Sequence, residues 1–161
     1  MKNNNNFLPL FINLKNKKVL IIGAGKIAFR KVSTVAEYGA NIKILTNKVM
    51  DPRFSDLILE NSLVKLNIGE FKKDFIKKEC LDSFLVILAT DDKKFNEELA
   101  MYCDENNVLV NNITSKNIMN TRFCSVLKKE EYTLGISANG DPKKSKALKN
   151  KLSSVDFRTI P

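Results

Sequence analysis

The chain has 161 residues, the size of one domain or of one domain with a small annex. Hydrophobic residues make up 43% and charged residues 28%, which excludes wholesale disorder, and the apolar runs are too short to cross a bilayer. Because the first residues also lack the pattern of a secretion signal, the sequence predicts a cytoplasmic protein without membrane association.

The charge balance favours an anionic partner. Lys and Arg number 27 against 18 acidic residues, for a net charge of +9. Tryptophan is absent and no stripe of basic and aromatic residues stands out, so nucleic acid is a minor hypothesis beside a solvated Lys-rich surface.

The absence of histidine excludes a His-ligated metal site, a Ser-His-Asp triad and a Cys-His dyad. Cys80, Cys103 and Cys124 lack metal-ligand spacing, so buried free thiols and no metal site are predicted.

A βαβ unit comes first among the predicted elements. Val19–Ile22 is short, apolar and rich in β-branched residues, as in a strand buried on both faces. A glycine turn follows, and from Lys26 the apolar spacing predicts a helix that ends at Gly39. Ile42–Leu45 is the next predicted strand. This order implies two parallel strands joined by a right-handed crossover.

The alternation of strand and helix continues to residue 110 and then stops. The predicted elements are a helix over Phe54–Leu59, a strand over Leu63–Ile68, a short helix or loop over Glu70–Asp82, a strand over Phe84–Ala89, a helix over Phe95–Asn106, a strand over Val108–Val110, a hairpin over Arg122–Ser137 and a helix from Pro142. We therefore expect an α/β fold: a Rossmann-like parallel sheet over residues 1–113 and a small α+β segment over residues 114–161.

The sharpest motif is the GxGxxA sequence Gly23-Ala-Gly25-Lys26-Ile27-Ala28 between the first strand and its helix. The first glycine permits a tight turn, the second lets the backbone approach a pyrophosphate, and the alanine allows close helix–strand packing. The helix N-terminus adds oriented N–H groups. Residues Gly23 to Ile27 are therefore predicted to bind a dinucleotide, the alternative being a tight turn without a ligand.

Two further strand ends carry candidate binding residues. Thr46-Asn47-Lys48 stands where an acidic residue often binds the adenosine ribose, and Lys48 could accept a 2′-phosphate or be a solvated cation. After the strongest predicted strand come Thr90 and Asp91, at the end of the sheet where parallel α/β folds bind ligands. An N-cap role for Asp91 or its neighbour is an equally valid interpretation.

These motifs together resemble the precorrin-2 dehydrogenase family of siroheme synthesis. The matching segments are Leu8–Phe11, Lys17–Lys31, Ala89–Asp92 with Asn96, Val110-Asn111, Phe123 and Ile136–Gly140. The resemblance covers residues 8–152. It implies NAD as cofactor, oxidation of precorrin-2 to sirohydrochlorin, and a homodimer that uses the C-terminal segment as its dimerisation interface. It also offers an anionic tetrapyrrole as the partner of the positive charge.

One position departs from the family pattern. Family members carry an aspartate just after the Val-Asn strand end, where it is proposed to act in proton transfer and metal insertion, and Thr114 stands there in this chain. A hydroxyl cannot be a general base near neutral pH. Asp91 and Asp141 are the alternative proton acceptors, and ferrochelatase activity is disfavoured. A non-catalytic or regulatory NAD(H)-binding module of the same fold is the alternative function.

Overall fold

The computed structural model describes residues 6–115 and 117–159. The chain divides into two compact units: residues 11–121 form the larger one, and the described residues up to Leu10 group with the segment from Arg122 onward in the smaller one. Within the described part of the chain, no helix combines the length and the apolar character needed to span a membrane.

The larger unit alternates strands and helices throughout. Its elements are β1 (Lys18–Ala24), α1 (Lys26–Ala36), β2 (Asn41–Val49), α2 (Phe54–Glu60), β3 (Val64–Ile68), α3 (Lys73–Leu81), β4 (Leu85–Leu88), α4 (Lys93–Glu105) and β5 (Leu109–Asn112). The five strands form one parallel sheet in the order β3-β2-β1-β4-β5. This is the order of a Rossmann-type sheet, whose direction of winding reverses between β1 and β4. The predicted fold class is confirmed.

The central strands β1 and β4 are buried on both faces, as their continuous apolar sequences predict. Helices α3 and α4 cover one face, where the packed residues are Leu20, Ile22, Leu45, Ile76, Cys80, Val86, Leu88, Leu99, Ala100, Cys103 and Val110. Alternate strand residues point to the opposite face. Helix α1, in which Val32 and Val35 are fully buried, contacts β1 and β2. This packing fixes the carboxyl ends of β1 and β4 side by side.

The cysteines have two different environments. Cys80 and Cys103 are buried free thiols in the core, as predicted, whereas Cys124 is exposed, which the prediction missed. A hydrogen bond with Cys103 and burial raise the pKa of the Cys80 thiol, so this thiol is uncharged at neutral pH. Among the described residues, no group of three or more acidic or Cys side chains is placed to hold a metal ion.

The boundary between the units lies after Thr121, eight residues later than predicted. The reason is local hydrogen bonding to β5. Asn120 N and Thr121 N both donate to Val110 O, at 3.2 and 3.0 Å, and Val110 N donates to Asn120 Oδ1 at 2.6 Å. The Asn120 amide also donates to Val108 O at 2.9 Å. Residues 114–121 therefore belong to the sheet unit.

The smaller unit contains the predicted hairpin and helix. Strands β6 (Ser125–Lys129) and β7 (Tyr132–Ile136) pair antiparallel, and α5 (Pro142–Ser153) and a short 3₁₀ helix (Phe157–Thr159) follow. Leu127, Ile136 and Phe157 form a small buried cluster. The Arg122 guanidinium lies 4.0 Å from the ring centre of Phe7, which joins the N-terminal segment to this unit.

Candidate functional site

Gly23 lies near the end of β1, where the backbone of this strand comes very close to the backbone that follows β4. Its φ is +106°, and a Cβ built on it would lie 2.4 Å from Ala89 O and 3.0 Å from Thr90 N. An alanine here would therefore be strained and would also collide with backbone. The glycine is required to bring the glycine loop against the end of β4.

Gly25 is required for a different reason. Its φ of −92° and ψ of −178° suit any residue, and a Cβ built on it would meet nothing within 4 Å. It is the N-cap of α1, it makes no side-chain cap, and the first turn of the helix contains no acidic residue. Lys26 and Ile27 are exposed beside it, Ile27 at 51%. The free space and the unpaired N–H groups at this helix end suit an anionic group held by backbone atoms.

A hydrogen-bonded network joins the ends of β4 and β5. Thr90 Oγ1 donates to Asn96 Oδ1 at 2.7 Å, and Asn96 Nδ2 donates both to Thr90 O at 2.9 Å and to Thr114 Oγ1 at 3.3 Å. Thr114 Oγ1 in turn donates to Asn112 Oδ1 at 2.8 Å, and Thr114 N donates to the same oxygen at 3.0 Å. Asn96 and Asn112 are fully buried. The Thr114 hydroxyl thus has its proton and a lone pair engaged within the protein.

Of the predicted catalytic residues, Thr114 belongs to this network. Thr90 and Thr114 are brought together through Asn96, whereas Asp91 is exposed and outside these bonds. The helix cap is Asp92, which accepts from Phe95 N at 3.0 Å. Asp141 lies in the smaller unit, where its carboxylate caps α5 by accepting from the N–H groups of the next two lysines.

The end of β2 differs from the prediction in length. The strand continues to Val49, which pairs with Ala24 after a register shift in β1. Thr46 is 6% exposed and its hydroxyl donates to Lys48 O at 2.7 Å, so this side chain stabilises the turn of its own strand. Asn47 and Lys48 are exposed. Of the three predicted ribose-binding residues, these two have side chains open to solvent.

Sequence reasoning missed two groups of residues near the site. Asp51 and Arg53 follow the extended β2, and the Arg53 guanidinium lies 4.1 Å from the ring centre of Phe29 in α1. Asn112 was missed although a second asparagine in an apolar strand end is itself a signal of a buried polar contact. Its Nδ2 atom is buried and has no hydrogen-bond partner among the residues that the structure describes. Asp51 was missed because its place beside the site depends on where β2 ends, which the sequence pattern did not show.

The residues present fit a bound dinucleotide. The space above Gly25, the uncapped N-terminus of α1 and the cationic Lys26 suit a pyrophosphate, and the place is the point where winding of the sheet reverses. The side of the site away from β2 is formed by Thr90 at the end of β4. This arrangement can hold a dinucleotide across the carboxyl edge of the sheet.

Comparison with known proteins agrees with this geometry. A family model described as "Putative NAD(P)-binding" matches residues 10–125. Precorrin-2 dehydrogenase of Bacillus subtilis (strain 168) is 33% identical over 154 residues, covering 93% of this chain and 91% of that protein. Siroheme synthase of Blochmanniella floridana is 35% identical over 150 residues, covering 92% of this chain and 31% of that protein.

The extent of the matches separates two kinds of relative. The chain spans about 30% of the length of the siroheme synthases it matches, and nearly the whole length of the Bacillus protein. Among solved structures, SirC, a precorrin-2 dehydrogenase, shares the fold with a TM-score of 0.74 at 22% identity, covering 93% of this chain and 72% of that chain. The matches confirm the predicted NAD cofactor. The chain therefore belongs to the precorrin-2 dehydrogenase family of NAD(P)-binding proteins.

Proposed function

We propose that this chain catalyses the NAD-dependent oxidation of precorrin-2 to sirohydrochlorin in siroheme biosynthesis. The observation that carries the proposal is the glycine loop, in which Gly23 lies against Ala89 and Thr90 while the space above Gly25 stays open. Family membership supplies the substrate class, an anionic tetrapyrrole that complements the net charge of +9. A cytoplasmic location stays a prediction.

The residues of the chain hold and orient the reactants in this proposal. Gly25, Lys26 and Ile27 bind the pyrophosphate with backbone N–H groups, and Asn47 and Lys48 lie on the adenosine side. Thr90 is held by Asn96, at the end of the strand next to the loop. When bound, NAD⁺ supplies the hydride acceptor. The proton that accompanies the hydride leaves to solvent, because the Thr114 hydroxyl already donates to Asn112 and cannot act as a base.

The direct test is anaerobic incubation of the purified chain with precorrin-2 and NAD⁺. We expect the absorption spectrum of sirohydrochlorin to appear together with NADH, at a slow rate, since loss of a general base typically costs roughly 10²–10⁴-fold. Addition of ferrous iron is expected to give no enzymatic acceleration of siroheme formation. NAD binding by calorimetry without any turnover would instead support the non-catalytic module, whose basis is the Thr114 substitution.

We further propose a homodimer formed through the smaller unit. Strands β6 and β7 form a two-stranded sheet with one small apolar cluster, and a sheet of this size gains stability from a further packing surface. Tyr132, Leu134 and Phe157 line a shallow apolar cleft on this hairpin. Sedimentation of the wild-type chain at high micromolar concentration should show a dimer, and Leu134→Glu should dissociate it. A wild-type protein that sediments as a strict monomer would contradict the proposal.

A further inference from the structure

Two cysteines lie at equivalent places in neighbouring helices. Cys80 is near the end of α3 and Cys103 is near the end of α4, and both helices pack on the same face of the sheet. Both side chains are fully buried in the apolar cluster between these helices and the sheet. A single cluster therefore holds two thiols that come from two different helices.

The strand register brings the two helix ends to the same level of the sheet. Cys80 O accepts from Ser83 N at 3.1 Å, and Cys103 O accepts from Val108 N at 2.9 Å. Ser83 and Val108 stand two residues and one residue before the first pair of the adjacent parallel strands β4 and β5. Because neighbouring strands are only about 4.8 Å apart, this register holds the two cysteine backbones near each other.

The two thiols are hydrogen-bonded to each other. This bond raises the pKa of the Cys80 thiol and lowers the pKa of the Cys103 thiol, so Cys80 donates and Cys103 accepts. Cys103 is therefore the thiol that ionises more easily, and Cys80 keeps its proton beside it. Redox-sensitive pairs use the same division, in which one cysteine attacks the oxidant and its neighbour resolves the product.

We propose that Cys80 and Cys103 are a redox site that hydrogen peroxide converts to a reversible disulfide. The Cys103 thiolate attacks one peroxide oxygen, the O–O bond breaks, and the products are a Cys103 sulfenic acid and one water. The Cys80 sulfur then attacks the Cys103 sulfur, so an S–S bond forms, the S–O bond breaks and a second water leaves with the Cys80 proton. The two thiols lose two electrons, and a thiol reductant restores them.

The oxidant reaches the buried pair by local opening of α3. This helix has nine residues and no side-chain hydrogen bond at its N-cap, and short elements of this kind open without unfolding of the whole domain. The disulfide lies away from the candidate site, because Asn96, which holds Thr90, is seven residues earlier in α4, about 10 Å along the helix. Its formation needs neither cofactor nor tetrapyrrole and is independent of the proposed function.

Treatment of the folded Cys124→Ser protein with hydrogen peroxide is the test, since Cys124 is exposed and would react separately. After removal of the peroxide, the protein is denatured, alkylated with iodoacetamide and measured by mass spectrometry. We expect the loss of two hydrogens, no alkylated cysteine, and a tryptic peptide pair joined through Cys80 and Cys103. The melting temperature should rise by roughly 4–16 °C and return to its starting value with dithiothreitol.

Cys103→Ala in the same background is the matched control and should show neither the joined peptides nor the higher melting temperature. Cys80→Ala should instead accumulate the Cys103 sulfenic acid, which dimedone labels. Both thiols still open to alkylation after peroxide, or joined peptides that form only in denaturant, would overturn the redox site and leave NAD binding untouched. If the alanine variants do not fold, the joined peptides in the Cys124→Ser protein decide, because that protein keeps both core thiols.

Discussion

Replacing Gly25 with valine is expected to leave the chain folded and to lower its affinity for NAD about 100-fold or more, which corresponds to ~2.7 kcal/mol. The backbone of Gly25 is extended, so valine adopts it without strain, and its side chain enters space that nothing in the described protein fills. That same space is where the pyrophosphate must approach the helix N-terminus. Calorimetry for binding and thermal unfolding for stability measure the two effects separately, and Gly25→Ala should give a smaller loss of affinity.

Gly23→Ala is the matched contrast within the same loop. A methyl group at Gly23 collides with Ala89 O and sits on a backbone with φ of +106°. Strain of this kind costs about 1–3 kcal/mol, which lowers the melting temperature by roughly 2–12 °C for a chain of this size. We therefore expect Gly23→Ala to destabilise the fold and Gly25→Val to spare it. An NAD affinity unchanged in folded Gly25→Val would show that the site is misplaced.

The second large effect is expected at the position of the missing carboxylate. Thr114→Asp should raise the rate of precorrin-2 oxidation by roughly 10²-fold, the lower end of what a general base contributes. The ionised side chain can accept from Asn96 Nδ2, which now donates to Thr114 Oγ1. A neighbouring polycarboxylate substrate raises the pKa of a carboxyl group, so the gain should grow with pH until the new group is fully ionised.

Thr114→Asn is the control for this substitution, because it has nearly the same shape as aspartate and cannot ionise. It should give no gain at any pH. If Asp91 or Asp141 already accepts the proton, Thr114→Asp will change little, and Asp91→Asn or Asp141→Asn will cut turnover by more than about tenfold. Asp141→Asn should also reduce thermal stability slightly, since that carboxylate caps α5. Turnover unaffected in all of these variants would contradict the prediction and show that a carboxylate at these positions takes no part in the proton transfer.

The buried strands could be located from the sequence because each of them is a short apolar run next to a change of period. The predicted strands Val19–Ile22 and Phe84–Ala89 differ from β1 and β4 by one or two residues at each end. The end of β2 could not be read in this way. Thr46-Asn47-Lys48 is polar, and its strand pairing depends on a register shift opposite Ala24 that only tertiary contacts create.

The candidate site shows the same division between local and tertiary information. The role of Gly23 follows from the motif, and the structure supplies the reason in the Ala89 carbonyl. The partners of Thr114 lie 2 and 18 positions away in sequence, so neither a capping rule nor a helical spacing indicates the pair with Asn96. The Asp51–Arg53 pair is local in sequence, but its closeness to Gly25 arises from the added length of β2.

The loop that returns along β5 also protects this protein against aggregation. An edge strand with free N–H and C=O groups invites pairing with a strand of a neighbouring molecule, and this leads to aggregation. Asn120 and Thr121 occupy both main-chain polar groups of Val110, in the interior of a four-residue strand. At the opposite edge, β3 is short and carries the exposed charge of Lys65. A nascent chain with β5 formed but the Asn120 loop not yet docked would therefore present the edge most open to mispairing.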